Sequence, residues 1–254
     1  MRNLLILGSG RSGSSMVAGA FRTAPYFMGE NLWEASDSNP KGYFEDYEIN
    51  SINEEILTSV VRLRPRILGW SFCRDRPRRG QMWLARIPLD AKISCPPEIT
   101  QRIIQLTSRE PFCFKDPRFA YTLPCWAPHL VNTRHIVVFR DPATTVASLE
   151  KECRKDYLHD LSITRDEIIE LWMLTYSHIL RWYRCGDSWL FIHYDQVLQP
   201  AGLDRLEKFS AARVDRLFPD VSLRRSSPIN SIPPRAKALY SQLCDLADYD
   251  EGVQ

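Results

Sequence analysis

Apolar and polar residues alternate along this chain in two different periods. Leu4–Leu7 is a continuous apolar run that reads as a buried strand, and Ser14–Phe21 as the helix it feeds. Ile49, Ile52, Ile56, Val60 and Leu63 recur at spacings of three and four, which predicts one helical face across Tyr47–Leu63. Phe112–Phe114, His135–Phe139 and Trp189–His193 read as further buried strands, and Thr164–Tyr183 as a further helix. His135–Phe139 stops at Arg140-Asp141-Pro142, where Asp141 suits an N-cap and Pro142 a first helical position, so a helix is expected to begin there. Buried strands alternating with helices predict a parallel sheet covered on both faces. The expected fold is a three-layer α/β domain, P-loop NTPase-like, spanning residues 1–254 as one unit.

Length and composition set bounds on the chemistry. With 254 residues and 44% hydrophobic content the chain can bury a full core. A formal charge of +2 argues against dedicated nucleic-acid binding and suits a small anionic ligand. Seven scattered cysteines offer no CxxC pair or Cys/His spacing, so no metal is expected and reduced thiols in a cytosol are. The apolar run at the N-terminus ends at Gly8, too short for a signal-peptide core or a membrane span, so a cytoplasmic location is expected. Oligomeric state is not readable. One segment departs from neutrality: Arg62, Arg64, Arg66, Arg74, Arg76, Arg78 and Arg79 face a single acid, Asp75, and are expected to form a solvated loop or lid.

The strand ends carry the candidate chemistry. After Leu4–Leu7 comes GSGRSGSS, a turn whose N–H groups converge on the positive end of a helix and so form an anion site from Gly10, Arg11, Ser12, Gly13, Ser14 and Ser15. A triphosphate loop would place a lysine after Gly13; here Ser14 follows, and the cation has moved forward to Arg11. Gly8, Gly10 and Gly13 also fit GxGxxG, but no acidic ribose partner follows about 20 residues on. HIVVFRDPATTVASL repeats the logic at a second strand end, with Arg140 at the terminus and Ser148 on the following helix.

These two stretches together resemble sulfotransferases that use 3′-phosphoadenosine 5′-phosphosulfate (PAPS). GSGRSGSS resembles the family's 5′-phosphosulfate loop, with arginine in place of the lysine of cytosolic members, as in the tyrosylprotein branch and many bacterial members. RDPATTVAS resembles the 3′-phosphate element, with Arg140 and Ser148 at the family spacing. FIHYDQVLQP resembles a later strand-plus-YxDhhxxP segment, which implies Tyr194 near the adenine. KDPRFAYTLPCW and NPKGYFED look like bacterial sulfotransferases. The glycine-containing C-terminal loop of cytosolic members is not evident. The resemblance implies in-line sulfuryl transfer from PAPS to a hydroxyl of a glycan, lipid or small metabolite, without a magnesium clamp.

Such transfer needs a base. Glu45 and Asp46 in NPKGYFED are the acidic candidates, with Glu30 as runner-up; either carboxylate of the pair would equally favour a helix N-terminus. His135 and His193 fall in strands and read as structural, and none of His129, His159 and His178 marks a base. Lys115, after the Phe112–Phe114 strand, is expected to stabilise the transferring group or the acceptor, oriented by Asp116 and Arg118; a local salt-bridge cluster is the alternative. Competing readings are a nucleotide kinase or NTPase, weakened by the absent loop lysine, and a non-catalytic nucleotide-binding protein.

Overall fold

The computed structural model describes residues 1–67, 70–71, 73–158, 160–224, 226–229 and 231–251. His159 and the side chain of Arg66 lie outside the described set. Among the described residues, four parallel strands form the central sheet: β1 (Asn3–Leu7), β4 (Cys113–Lys115), β5 (Thr133–Phe139) and β6 (Trp189–His193), in the order β4-β1-β5-β6. Leu5 is level with Phe114 on one side and His135 on the other, and Val137 with Phe191, so the carboxyl ends of neighbouring strands finish together. A separate antiparallel pair, β2 (Arg66–Ile67) and β3 (Trp70–Ser71), interrupts the arginine-rich segment.

The two-residue period of each strand divides the core. Leu4 and Ile6 of β1, with Ile136, Val138 and Ile192, face α1 (Ser14–Ala20), α7 (Tyr194–Val197) and α8 (Pro200–Ser210). Leu5 and Leu7, with Val137, Phe139 and Phe191, face the other layer. That layer is built from α2 (Tyr47–Leu57), α3 (Pro97–Thr107), α4 (Phe119–Trp126), α5 (Pro142–Cys153), α6 (Arg165–Trp182) and α9 (Pro234–Ala247). The three-layer α/β expectation is met. No helix of the described residues is long and apolar enough to cross a membrane.

Cap chemistry accounts for most element ends. Asp141 caps α5 by accepting from Ala143 and Thr144 N–H, with Pro142 next to it, as expected. Thr164 and Glu167 close a capping box on α6, which ends before Tyr183. The expected helix across Tyr47–Leu63 is corrected: α2 stops at Leu57. Thr58 and Ser59 there donate their hydroxyls back to the carbonyls of Glu55 and Ile56 (2.6 and 2.7 Å). Val60 and Leu63 keep the apolar rhythm because the loop packs on Leu57, Met82 and Tyr121, not because the helix continues.

Candidate active site

β1 delivers the Gly-rich turn against its neighbour. A Cβ on Gly8 would stand 2.4 Å from the carbonyl of Val138 in β5, so only glycine lets the two strands approach. Gly13 caps α1 at φ 96°, in the left-handed region, and a Cβ there would stand 2.5 Å from the Tyr194 ring. Tyr176 of α6 fastens the turn to β5. Its hydroxyl accepts from Ser9 N–H (3.3 Å) and donates to Val138 O (2.9 Å). Nothing in the local sequence of α6 pointed to that tether. Gly10, Arg11, Gly13, Ser14 and Ser15 line a cavity of about 740 Å³ at the carboxyl edge of the sheet. Ser12 does not. It is fully buried under the turn, with its hydroxyl beside Gly8, so the fold does not bring it to the cavity wall.

The second anion element opens into the same cavity. Arg140 leaves β5 almost entirely buried, and its Nε and Nη2 have no hydrogen-bond partner among the described residues. Its guanidinium lies 4.4 Å from the Tyr194 ring centroid. Burial pulls it below the usual arginine range, and the Arg224 charge acts in the same direction. A desolvated cation with two unused donors fits an anionic group. Ser148 of α5 lines the cavity too and accepts from Arg11 Nε at 3.1 Å, so the two motifs touch directly. Arg224 was not singled out from the sequence. It pairs with Asp195 at 3.3 Å, and lies outside any periodic or motif-bearing stretch. Burial, then the charges of Arg140 and Arg224, push His193 down to about 3, so it is neutral. Its Nδ1 accepts from Asp195 N–H (3.2 Å), which leaves Nε2 to meet the Tyr240 hydroxyl (3.2 Å).

The other arm of the cavity holds Glu45 and Lys115. They form a short ion pair, and Lys115 Nζ also donates to Ser15 Oγ (3.0 Å), which links this arm to the Gly-rich turn. Asn50 donates to Glu45 at 3.3 Å and to Asp116 at 2.7 Å. Asp116 has no exposed surface; it accepts from Asn53 (2.9 Å), from Arg118 N–H (2.8 Å) and from Arg118 Nη1 (3.0 Å). Arg118 is pinned in turn by Glu54 Oε1 at 2.7 Å. This local salt-bridge cluster fixes the end of β4 against α2, and Lys115 stands at its edge. Asp46 is the N-cap of α2, its carboxylate taken by the N–H groups of Glu48, Ile49 and Asn31 (2.9, 3.1 and 2.8 Å). Glu30 is exposed, pairs with Arg109, and does not line the cavity. Glu45 is therefore the one of the three acidic candidates that the fold brings to the cavity. Trp33 and Tyr47 line this arm as a stacked pair, ring centroids 4.0 Å apart, and were not anticipated.

The arginine-rich segment is not simply a solvated face, which corrects the expectation. Arg64 is buried. It pairs with Asp160 at 2.8 Å and donates to the carbonyl of Arg76 at 2.9 Å. Arg78 shares Asp160 at 3.5 Å. Long-range partners in the segment before α6 neutralise charges that looked unpaired in sequence.

Three solved structures resemble this architecture. The sulfotransferase domain of the Synechococcus PCC 7002 olefin synthase superposes with a TM-score of 0.53 at 15% identity, covering 98% of this chain and 94% of that one. The sulfotransferase domain of the curacin biosynthetic pathway gives 0.52 at 16% identity, covering 98% and 99%. Sulfotransferase STF9 from Mycobacterium avium gives 0.55 at 15% identity, covering 98% and 77%. No family model and no curated protein matches the chain. The chain thus has the fold seen in bacterial sulfotransferase structures.

Proposed function

We propose that the chain is a sulfotransferase that moves a sulfuryl group from PAPS to an acceptor hydroxyl. One observation carries the reading: Arg11, and the Arg140/Ser148 pair at the adjacent strand end, open into a single cavity of about 740 Å³, the size class of small-molecule sites. On this reading one adenosine bisphosphate spans both. The donor supplies the sulfuryl group and departs as 3′,5′-adenosine bisphosphate.

The residues divide the work. Gly10, Gly13, Ser14 and Ser15 hold the phosphosulfate at the start of α1. Arg140 and Ser148 hold the 3′-phosphate, and Tyr194 flanks the adenosine. Arg11 offsets charge on the bridging and departing oxygens. Glu45 takes the acceptor proton as the acceptor O–S bond forms and the bridging S–O bond breaks. Lys115 keeps Glu45 in place and adds positive charge beside the transferring group. Trp33 and Tyr47 wall the acceptor arm, which suits an alcohol with an apolar face.

Thermal shift with 3′,5′-adenosine bisphosphate, ATP-Mg and NAD tests the donor. The bisphosphate is expected to raise Tm and the other two not; stabilisation by ATP-Mg alone overturns the reading. PAPS turnover is expected to fall about 10²- to 10³-fold in Arg11→Ala, the cost of one preorganised charge-stabilising group, with the fold retained. Glu45→Gln is expected to lower turnover with bisphosphate affinity unchanged; full activity there removes Glu45 as the base.

A further inference from the structure

α5 offers the Gly-rich turn two polar side chains one helical turn apart. Ser148 accepts from Arg11 Nε, and four residues on, Glu152 Oε2 lies 3.9 Å from Arg11 Nη1. Glu152 is 4% exposed. A buried carboxylate beside a cation poised for an anion opposes that anion, so its presence asks for a separate reason.

Its remaining contacts supply one. Glu152 Oε1 accepts from Ser38 Oγ at 2.5 Å and from the Tyr157 hydroxyl, while Lys155 Nζ stands 3.7 Å from Oε2. Ser38 in turn offers its main-chain carbonyl to Arg11 Nη1 at 2.9 Å. Glu152 thus grips the hydroxyl of the residue whose carbonyl grips Arg11. Tyr157 is itself steadied through its carbonyl, by Arg78 Nη2 (3.2 Å) and Gln81 Nε2 (3.4 Å), which gives the arginine-rich segment a part in the same assembly. Burial raises the affinity of Glu152 for a proton, but the Ser38 and Tyr157 hydrogen bonds and the Arg11 and Lys155 charges outweigh it and hold the carboxyl below its usual range. Arg11 meanwhile sits at φ 67°, a left-handed backbone conformation costly for arginine, while Ser148, the Ser38 carbonyl and Glu152 surround its guanidinium. Its Nη2 makes no hydrogen bond among the described residues and is the nitrogen left for a ligand.

We propose that Glu152 is a positioning residue: through Ser38 and its own charge it fixes the Arg11 guanidinium, and so joins the aim of the donor cation to the seating of the 33–44 loop that walls the acceptor arm. The inference rests on the sulfotransferase reading. Wild type, Glu152→Gln, Arg11→Ala and the double variant are compared by calorimetry with 3′,5′-adenosine bisphosphate and by acceptor-free PAPS hydrolysis. Glu152→Gln is expected to hold the bisphosphate Kd within about twofold or to tighten it, because a negative charge leaves the anion's neighbourhood. Its kcat for PAPS is expected to fall about 10- to 100-fold, the scale of a misplaced catalytic group. In the Arg11→Ala background the same change is expected to alter kcat less than about twofold. Ser38→Ala, which leaves α5 intact, is expected to repeat the kcat-only pattern and serves if Glu152→Gln folds poorly. Parallel loss of affinity and kcat, additive effects in the double variant, or unchanged kcat in Glu152→Gln overturns the inference. A wild-type protein that binds no bisphosphate overturns the donor reading itself, and the inference with it.

Discussion

Arg140 is the residue whose environment most directly demands a ligand. Its buried guanidinium keeps two nitrogens without partners among the described residues, whereas Arg64, Arg118 and Lys115 are each matched to a carboxylate. A hydrogen bond to a charged partner contributes about 1.5–3 kcal/mol, so Arg140→Ala is expected to weaken 3′,5′-adenosine bisphosphate about 10- to 150-fold. Adenosine 5′-phosphosulfate, which lacks the 3′-phosphate, is expected to lose far less, and calorimetry with both ligands checks the difference. Equal losses count against a 3′-phosphate role. Arg140 and Arg11 were legible as residues of one strand-end cavity because each follows a recognisable strand and precedes a recognisable helix start. The Glu45–Lys115 pair was not legible as a pair, since 70 residues separate its members. Burial of Ser12 is not legible for a related reason: a Gly/Ser turn reads as uniformly exposed, and only the fold shows which hydroxyl points inward.

At the scale of elements, sequence signals succeeded where a side chain acts on its own backbone. The Asp141 cap and the Thr164 start are of that kind, since both bond within three residues. Thr164→Ala removes one half of the α6 capping box and is expected to cost about 1 kcal/mol, a drop of roughly 2–4 °C in Tm for a chain of this size, with bisphosphate binding unchanged. Calorimetric melting tests it; loss of binding would mean that α6 positions the turn through Tyr176 less rigidly than the contacts indicate. The end of α2 and the roles of the arginine-rich segment were not legible. In the first, apolar periodicity continues through a packed loop. In the second, the partner Asp160 lies far along the chain, and periodicity carries no information about it.

For the whole molecule, the acid limb of stability follows from histidines kept neutral. His193 is pushed down to about 3 and His135 to about 4, burial being the main cause of each. Unfolded, each takes up a proton near pH 6.5; folded, neither does until far lower pH. The penalty is absent above pH 6.5 and grows as pH falls toward the folded values, by up to about 1.4 kcal/mol per pH unit for each proton withheld. Denaturant unfolding between pH 7 and 5 is expected to show stability falling with pH, and His193→Gln to reduce that slope by about one proton. A slope unchanged in the variant would show that the imidazole is protonated in the folded chain.

Arg11 and Arg140 follow strand ends locked into the sheet, whereas Trp33, Ser38 and Glu45 issue from a connection before α2. On the sulfotransferase reading proposed above, nucleotide grip and alcohol choice come from different parts of the chain and meet at Ser38. On that reading a transplanted 33–44 segment is expected to redirect the proposed activity to another alcohol while nucleotide binding carries over, with Ser38 the residue that the graft has to keep.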